Sequence, residues 1–210
     1  MHPRQQALTL EDATSNKGLA IMGTFPLQAG DAVLAVDIQN DFCPDGALPV
    51  PDGDKVVPIM NQWLRAAADA NLPVIASRDW HTVDHCSFQA QGGPWPPHCI
   101  QDTAGAAFHC DLVLPPKTVI VSKGTAFDQD AYSALDDTGL AGWLRRKAVR
   151  RLWIGGLAED VCVLHTVKDA CAAGFEVHLL CRATRPVFPD REPETLAALR
   201  EAGAHLEGSR

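Results

Sequence analysis

The chain has 210 residues, 46% of them apolar and 21% charged, with a formal net charge of -8. A chain of this length can bury roughly 70% of its unfolded surface, and its apolar content excludes intrinsic disorder. No stretch approaches the ~18 apolar residues of a membrane span, and the acidic balance argues against nucleic acid or a membrane surface as partner. Seven cysteines cannot all pair, and none falls in a C-x-x-C spacing, so a reducing, cytoplasmic setting is expected.

In chain order, residues 1–30 carry no motif and read as a loose N-terminal tail ahead of one domain over 31–210. Short runs rich in Val, Ile, Leu and Ala then recur at 32–36, 74–77, 118–122, 152–155 and 176–181. They do not alternate polar with apolar, which is the pattern of strands covered on both faces of a parallel sheet. Helical periodicity fills the gaps at 56–70, 140–148, 161–173 and 194–202, with Gly174 as a C-cap and 204–206 as a short edge strand. The sum is an α/β fold: a doubly wound, mostly parallel six-stranded sheet with helices on both faces. One stretch breaks the rhythm. The loop over 79–117 is too long for an ordinary connection, and its four histidines and three cysteines mark it as functional.

In such a sheet, ligands bind outside the carboxyl ends of the strands, so the residues that follow each run carry the argument. Asp37 follows the first, Asp79 and His81 the second, Lys123 the third, and Cys162 lies in G-G-L-A-E-D-V-C after the fourth. A thiol in the first turn of a helix, beside a lysine, is expected to have a lowered pKa and to act as a nucleophile. Asp37 can then carry its proton, and N–H groups near Ala158 and Cys162 can hold an oxyanion. Taken alone, Cys162 would be a buried small residue, Asp37 a strand-end cap and Lys123 a solvated side chain. Their shared rim favours catalysis.

Asp79, His81 and, across the Pro-rich loop, His98 offer one carboxylate and two imidazoles, a set suited to zinc, with iron or manganese as alternatives. His85 is a further candidate ligand or a neighbour of that site. A rival reading joins Cys86, Cys99, Cys110 and His98 in a closed structural zinc site, but the short paired cysteine spacings of such sites are absent. Phe42 and Trp95 could wall a flat apolar pocket.

The segments V-D-I-Q-N-D-F-C-P-D-G-A-L, S-R-D-W-H-x-x-D-H-C-S-F, G-G-P-W-P-P-H-C, S-K-G-T and G-G-L-A-E-D-V-C-V occur in order over most of the chain. Together they resemble the nicotinamidase branch of the isochorismatase-like cysteine hydrolase superfamily. The resemblance implies a triad of Asp37, Lys123 and Cys162, an oxyanion hole at Ala158 and Cys162, and a cis peptide between Leu157 and Ala158. It further implies Phe42 and Trp95 on either side of a pyridine ring, and a metal on Asp79, His81 and His98. The implied reaction converts nicotinamide and water to nicotinate and ammonia through a cysteine thioester, with pyrazinamide as a second substrate. Leu135 and Arg182 depart from the family pattern. Other hydrolases of the superfamily, acting on ureido or N-carbamoyl substrates or on isochorismate, and a non-catalytic zinc protein, remain alternatives. Whether the chain forms a homo-oligomer is left open.

Overall fold

A computed structural model describes residues 25–209. Six strands form one sheet: β1 (Asp31–Val36), β2 (Val74–Asp79), β3 (Val119–Lys123), β4 (Arg151–Leu157), β5 (Glu176–Arg185) and β6 (His205–Glu207). Their order is β3-β2-β1-β4-β5-β6, and every neighbouring pair is parallel. The expected fold is therefore present, with a sheet that is wholly parallel.

Burial explains the unalternating strand sequences. In β1, Ala32, Leu34 and Val36 face one core with Leu144, Val163, Val167 and Leu199, while Val33 and Ala35 face the other with Val57, Met60 and Leu64. Successive side chains point to opposite faces, so a strand covered on both sides needs apolar residues at every position. Helix α1 (Val57–Asp69) covers one face; α2 (Leu140–Arg146), α3 (Leu164–Ala172) and α4 (Glu192–Glu201) cover the other. Most of the expected tail lies outside the described residues. Of the rest, Phe25 meets Trp63 edge-on at 4.9 Å, and Leu27 packs on the α1-side core.

Two boundaries differ from expectation by more than two residues. The helix expected over 161–173 is divided, with a π-helical turn over Glu159–Val163 preceding α3. The run expected to stop at Cys181 continues to Arg185, because β5 re-pairs with β4 beyond a register shift: Ile154 lies opposite Leu179, but Gly156 opposite Thr184.

Strand order reverses direction between β1 and β4, and the crevice of an open α/β sheet forms at that switch point. Here β1 and β4 must lie close at their carboxyl ends. Gly156 has φ of 129°, and a Cβ there would stand 2.0 Å from the Val36 carbonyl oxygen. Gly156→Ala is thus expected to lower stability by about 2 kcal/mol or more, since backbone must move to admit it. A urea unfolding midpoint equal to wild type would contradict this packing.

Candidate active site and metal centre

The four strand ends deliver their side chains to one place. Asp37 leaves β1 with φ of 46°, a left-handed conformation uncommon outside glycine that turns the chain sharply at the rim. Its carboxylate is fully buried and accepts a hydrogen bond from Ser77 Oγ at 2.6 Å. Lys123, the last residue of β3, lies with Nζ 2.9 Å from Asp37 Oδ2 and 3.4 Å from Cys162 Sγ, and it also pairs with Asp79 Oδ1. Asp37, Asp79 and Cys162 each bring one reactive atom within 4.8 Å of the others. All three members of the expected triad are therefore in mutual reach, with Asp79 as an additional partner of the lysine.

Electrostatics correct one expectation. Lys123 opposes it, but burial together with Asp79 and Asp37 raises the Cys162 thiol well above its ordinary value. The lysine charge does not act on sulfur alone, because two carboxylates share it. Burial likewise raises Asp37, against the pull of Lys123. For Lys123 itself burial favours the neutral amine, yet Asp37, Asp79 and Cys162 outweigh it and hold the ammonium firmly charged. A protonated thiol beside a carboxylate of raised basicity suits proton transfer at the moment of attack.

On the other side of Asp79 stand two imidazoles. Asp79 Oδ2 is 3.7 Å from His81 Nε2 and 3.9 Å from His98 Nε2, and the three donor atoms all lie within 4.8 Å of one another. Each ring is oriented from behind: His81 Nδ1 meets the Gly124 carbonyl at 2.9 Å, and His98 Nδ1 meets the Pro96 carbonyl at 2.8 Å. Carbonyls fix both Nδ1 atoms as donors and leave both Nε2 lone pairs converging with the carboxylate, the arrangement that orients histidines on a metal. The donor set thus fits a divalent ion. His85 is fully buried and lies against His81 with ring centroids 4.2 Å apart and the planes tilted by 33°. It groups with His81 and Asp130 instead of with the Asp79 cluster.

One cavity connects the two halves. Phe42, Trp95, Tyr132 and Val161 wall it, with Asp79, His81 and His98 at its lining together with Ala158 and Cys162. Asp37 and Lys123 lie buried behind the thiol. The Leu157–Ala158 peptide is cis, as the resemblance implied.

The sequence matches the Isochorismatase domain over residues 31–209. The chain belongs to the isochorismatase family. Among its relatives, the nicotinamidase of Escherichia coli K12 is 36% identical over 199 residues, covering 83% of this chain and 93% of that one. A crystal structure of the pyrazinamidase of Pyrococcus horikoshii in complex with zinc superposes with a TM-score of 0.83 at 42% identity, covering 86% of this chain and 99% of that chain. PnC1 of L. infantum in complex with nicotinate gives 0.78 at 37% identity, with coverage of 85% and 92%.

Several further contacts shape this isochorismatase-family site. Gln39 clamps Asp79 by accepting from its backbone N–H and donating to its carbonyl, both at 2.8 Å. Asp41 Oδ2 accepts from Cys99 N at 2.7 Å, anchoring the residue after His98. Phe88, also fully buried, packs edgewise on His81 and His98 at 5.6 Å from each. Trp95 Nε1 donates to Tyr132 Oη at 3.0 Å, which sets the plane of that wall. Asp160 accepts from the N–H groups of Val187 and Phe188 at 2.8 and 2.9 Å, tying the segment that supplies Val187 to the cavity to the turn that bears Cys162.

Gly124 has φ of 62°, and a Cβ there would meet His81 Cε1 at 2.4 Å. Gly124→Ala should push the ring out of line and lower divalent-metal affinity by about 10- to 100-fold, the scale of losing a ligand's supporting contact. Competition with a colorimetric chelator measures it, and undiminished affinity with an intact fold would sink this role for Gly124.

Proposed function

We propose that this chain hydrolyses nicotinamide to nicotinate and ammonia, and pyrazinamide likewise, as a cytoplasmic enzyme. The observation that carries this reading is a thiol and a two-histidine, one-carboxylate cluster lining the same aromatic-walled cavity. The nicotinamidase of E. coli and the nicotinate-bound PnC1 of L. infantum support the substrate, and the zinc-bound pyrazinamidase of P. horikoshii supports zinc as the ion. Seven free thiols support a reducing compartment, and no helix among the described residues is long and apolar enough to cross a membrane.

Mechanistically, the flat ring lies between Phe42 and Trp95, which excludes water from its faces. A divalent ion held by Asp79, His81 and His98 would supply positive charge and a coordination position for a ring nitrogen. With the ring end fixed, the carboxamide is directed at Cys162, so positioning is a large part of the rate. Asp37 takes the thiol proton as sulfur attacks the carbonyl carbon. Backbone N–H groups at Ala158 and Cys162 receive the oxyanion. Protonated Asp37 returns its proton to the departing nitrogen and ammonia leaves, giving a thioester. Water, deprotonated by Asp37, then cleaves the thioester and restores the thiol. Throughout, Lys123 holds Asp37 oriented and offsets the negative charge that passes between carboxylate and sulfur.

Isochorismate and ureido hydrolysis need no such metal cluster, so the convergence of Asp79, His81 and His98 disfavours them. The closed zinc site fares no better: among the described residues, no metal-competent group joins Cys86, Cys99 and Cys110 to His98.

Cys162→Ala should reduce ammonia release from nicotinamide by about 10⁴-fold or more while zinc content stays at the wild-type level. Appreciable turnover by this variant would refute the nucleophile. Stripping the metal with a chelator should abolish hydrolysis at low nicotinamide concentration, and added zinc should restore it. Equal kcat/KM before and after stripping would refute a positioning ion.

A further inference from the structure

At the opposite end of the sheet from the cavity, where β5 begins, four rings stack in a row. Trp63 of α1 lies on Trp153 of β4 at 4.9 Å, Trp153 on His178 of β5 at 4.3 Å, and His178 on His205 of β6 at 4.8 Å. Strand register sets this up, because Trp153 pairs with His178 and His178 with His205, and paired residues of neighbouring strands share a face. Period-two spacing adds Glu176 and Glu207 to the same face.

The contacts of His178 are unusual. Its Nδ1 lies 2.7 Å from Glu207 Oε1 and its Nε2 lies 2.9 Å from Glu176 Oε1. A neutral imidazole has one N–H and one lone pair, so one of these contacts would set a lone pair against a carboxylate. A cation between the two removes that conflict. A second proton on the ring would do so, but it gives no part to His205, whose ring nitrogen lies within 4.8 Å of both the Glu176 oxygen and a His178 nitrogen. Arg151, opposite Glu176 on β4, is not the missing cation, since its guanidinium is held by both oxygens of Asp31 at 2.8 and 2.7 Å.

We propose that Glu176, His178 and His205 form a second divalent-metal site, remote from the cavity and selective for a borderline transition ion such as zinc. Glu207 takes the Nδ1 proton of His178 as hydrogen-bond acceptor and leaves Nε2 as the ligand atom, the carboxylate–histidine–metal relation that fixes a ring's tautomer and orientation. Two imidazoles and a carboxylate match zinc chemistry, and the exposure of Glu176 and His205 leaves room for water to complete the coordination. Binding would tie the three-residue strand β6 to β5, so the ion acts on the stability of the sheet edge and not on turnover.

The test uses the full chain, stripped by chelator and dialysed against zinc chloride, with bound zinc counted per chain. Wild type should hold one zinc more than the double variant Glu176→Gln/His205→Ala, whatever the cavity holds, and the two should hydrolyse nicotinamide at the same rate. Zinc should also raise the melting temperature of the wild type more than that of the variant. Equal zinc content in the two proteins overturns the proposal and assigns the contact to a proton. If the double substitution disturbs β6, His205→Ala alone decides the matter: loss of one zinc with an unchanged circular dichroism spectrum supports the site, and retention of it overturns the site.

Discussion

Everything at the rim is organised around one buried ammonium. Lys123 is almost wholly removed from water and is flanked by Asp37, the residue after β1, and Asp79, the last residue of β2. Burying a charge is costly unless it is paired, and removing one partner of such a group leaves the others uncompensated. The pairing therefore constrains β1, β2 and β3 to bring their carboxyl ends together. It also joins two clusters: Asp79 gives one oxygen to the lysine and turns the other toward His81 and His98, so the charge balance at sulfur and that at the two imidazoles depend on one carboxylate.

Much of this was legible from sequence because parallel sheets leave a strong signature. Five apolar runs separated by helical periodicity could satisfy burial on both faces in few other ways, and strand ends are where open α/β sheets place their ligands. The candidate triad and metal-binding residues carry distinctive side chains, and because Asp37, Asp79, His81, Lys123 and Cys162 lie at or just beyond strand ends, their residue types there were informative. The supporting residues were not. Gln39, Gly124 and Phe88 fall inside the segments that carry the family resemblance, but they act through a backbone clamp, an absent Cβ and a packed edge, so residue type alone does not reveal what each does.

The thiol illustrates a different limit. Placing a lysine near a cysteine predicts a lowered pKa only if that lysine is free to act on sulfur. Here complete burial, with Asp79 and Asp37 adding to it, reverses the sign, which depends on how deeply the thiol lies and which groups share its cavity. The π-helical turn before α3 is similar: the apolar periodicity of 161–173 runs through it without a break, and only the backbone reveals the wider turn beneath Cys162.

The clamp made by Asp160 has a wider consequence. The same short turn carries the sulfur and, through two hydrogen bonds, fixes the Val187 wall of the cavity. Shape and reactivity are thereby mechanically linked. A change that widens the cavity by shifting that wall also moves the Cys162 sulfur, so under the proposed mechanism the tolerance for bulkier rings is bounded by the angle at which that sulfur can still reach a carbonyl carbon.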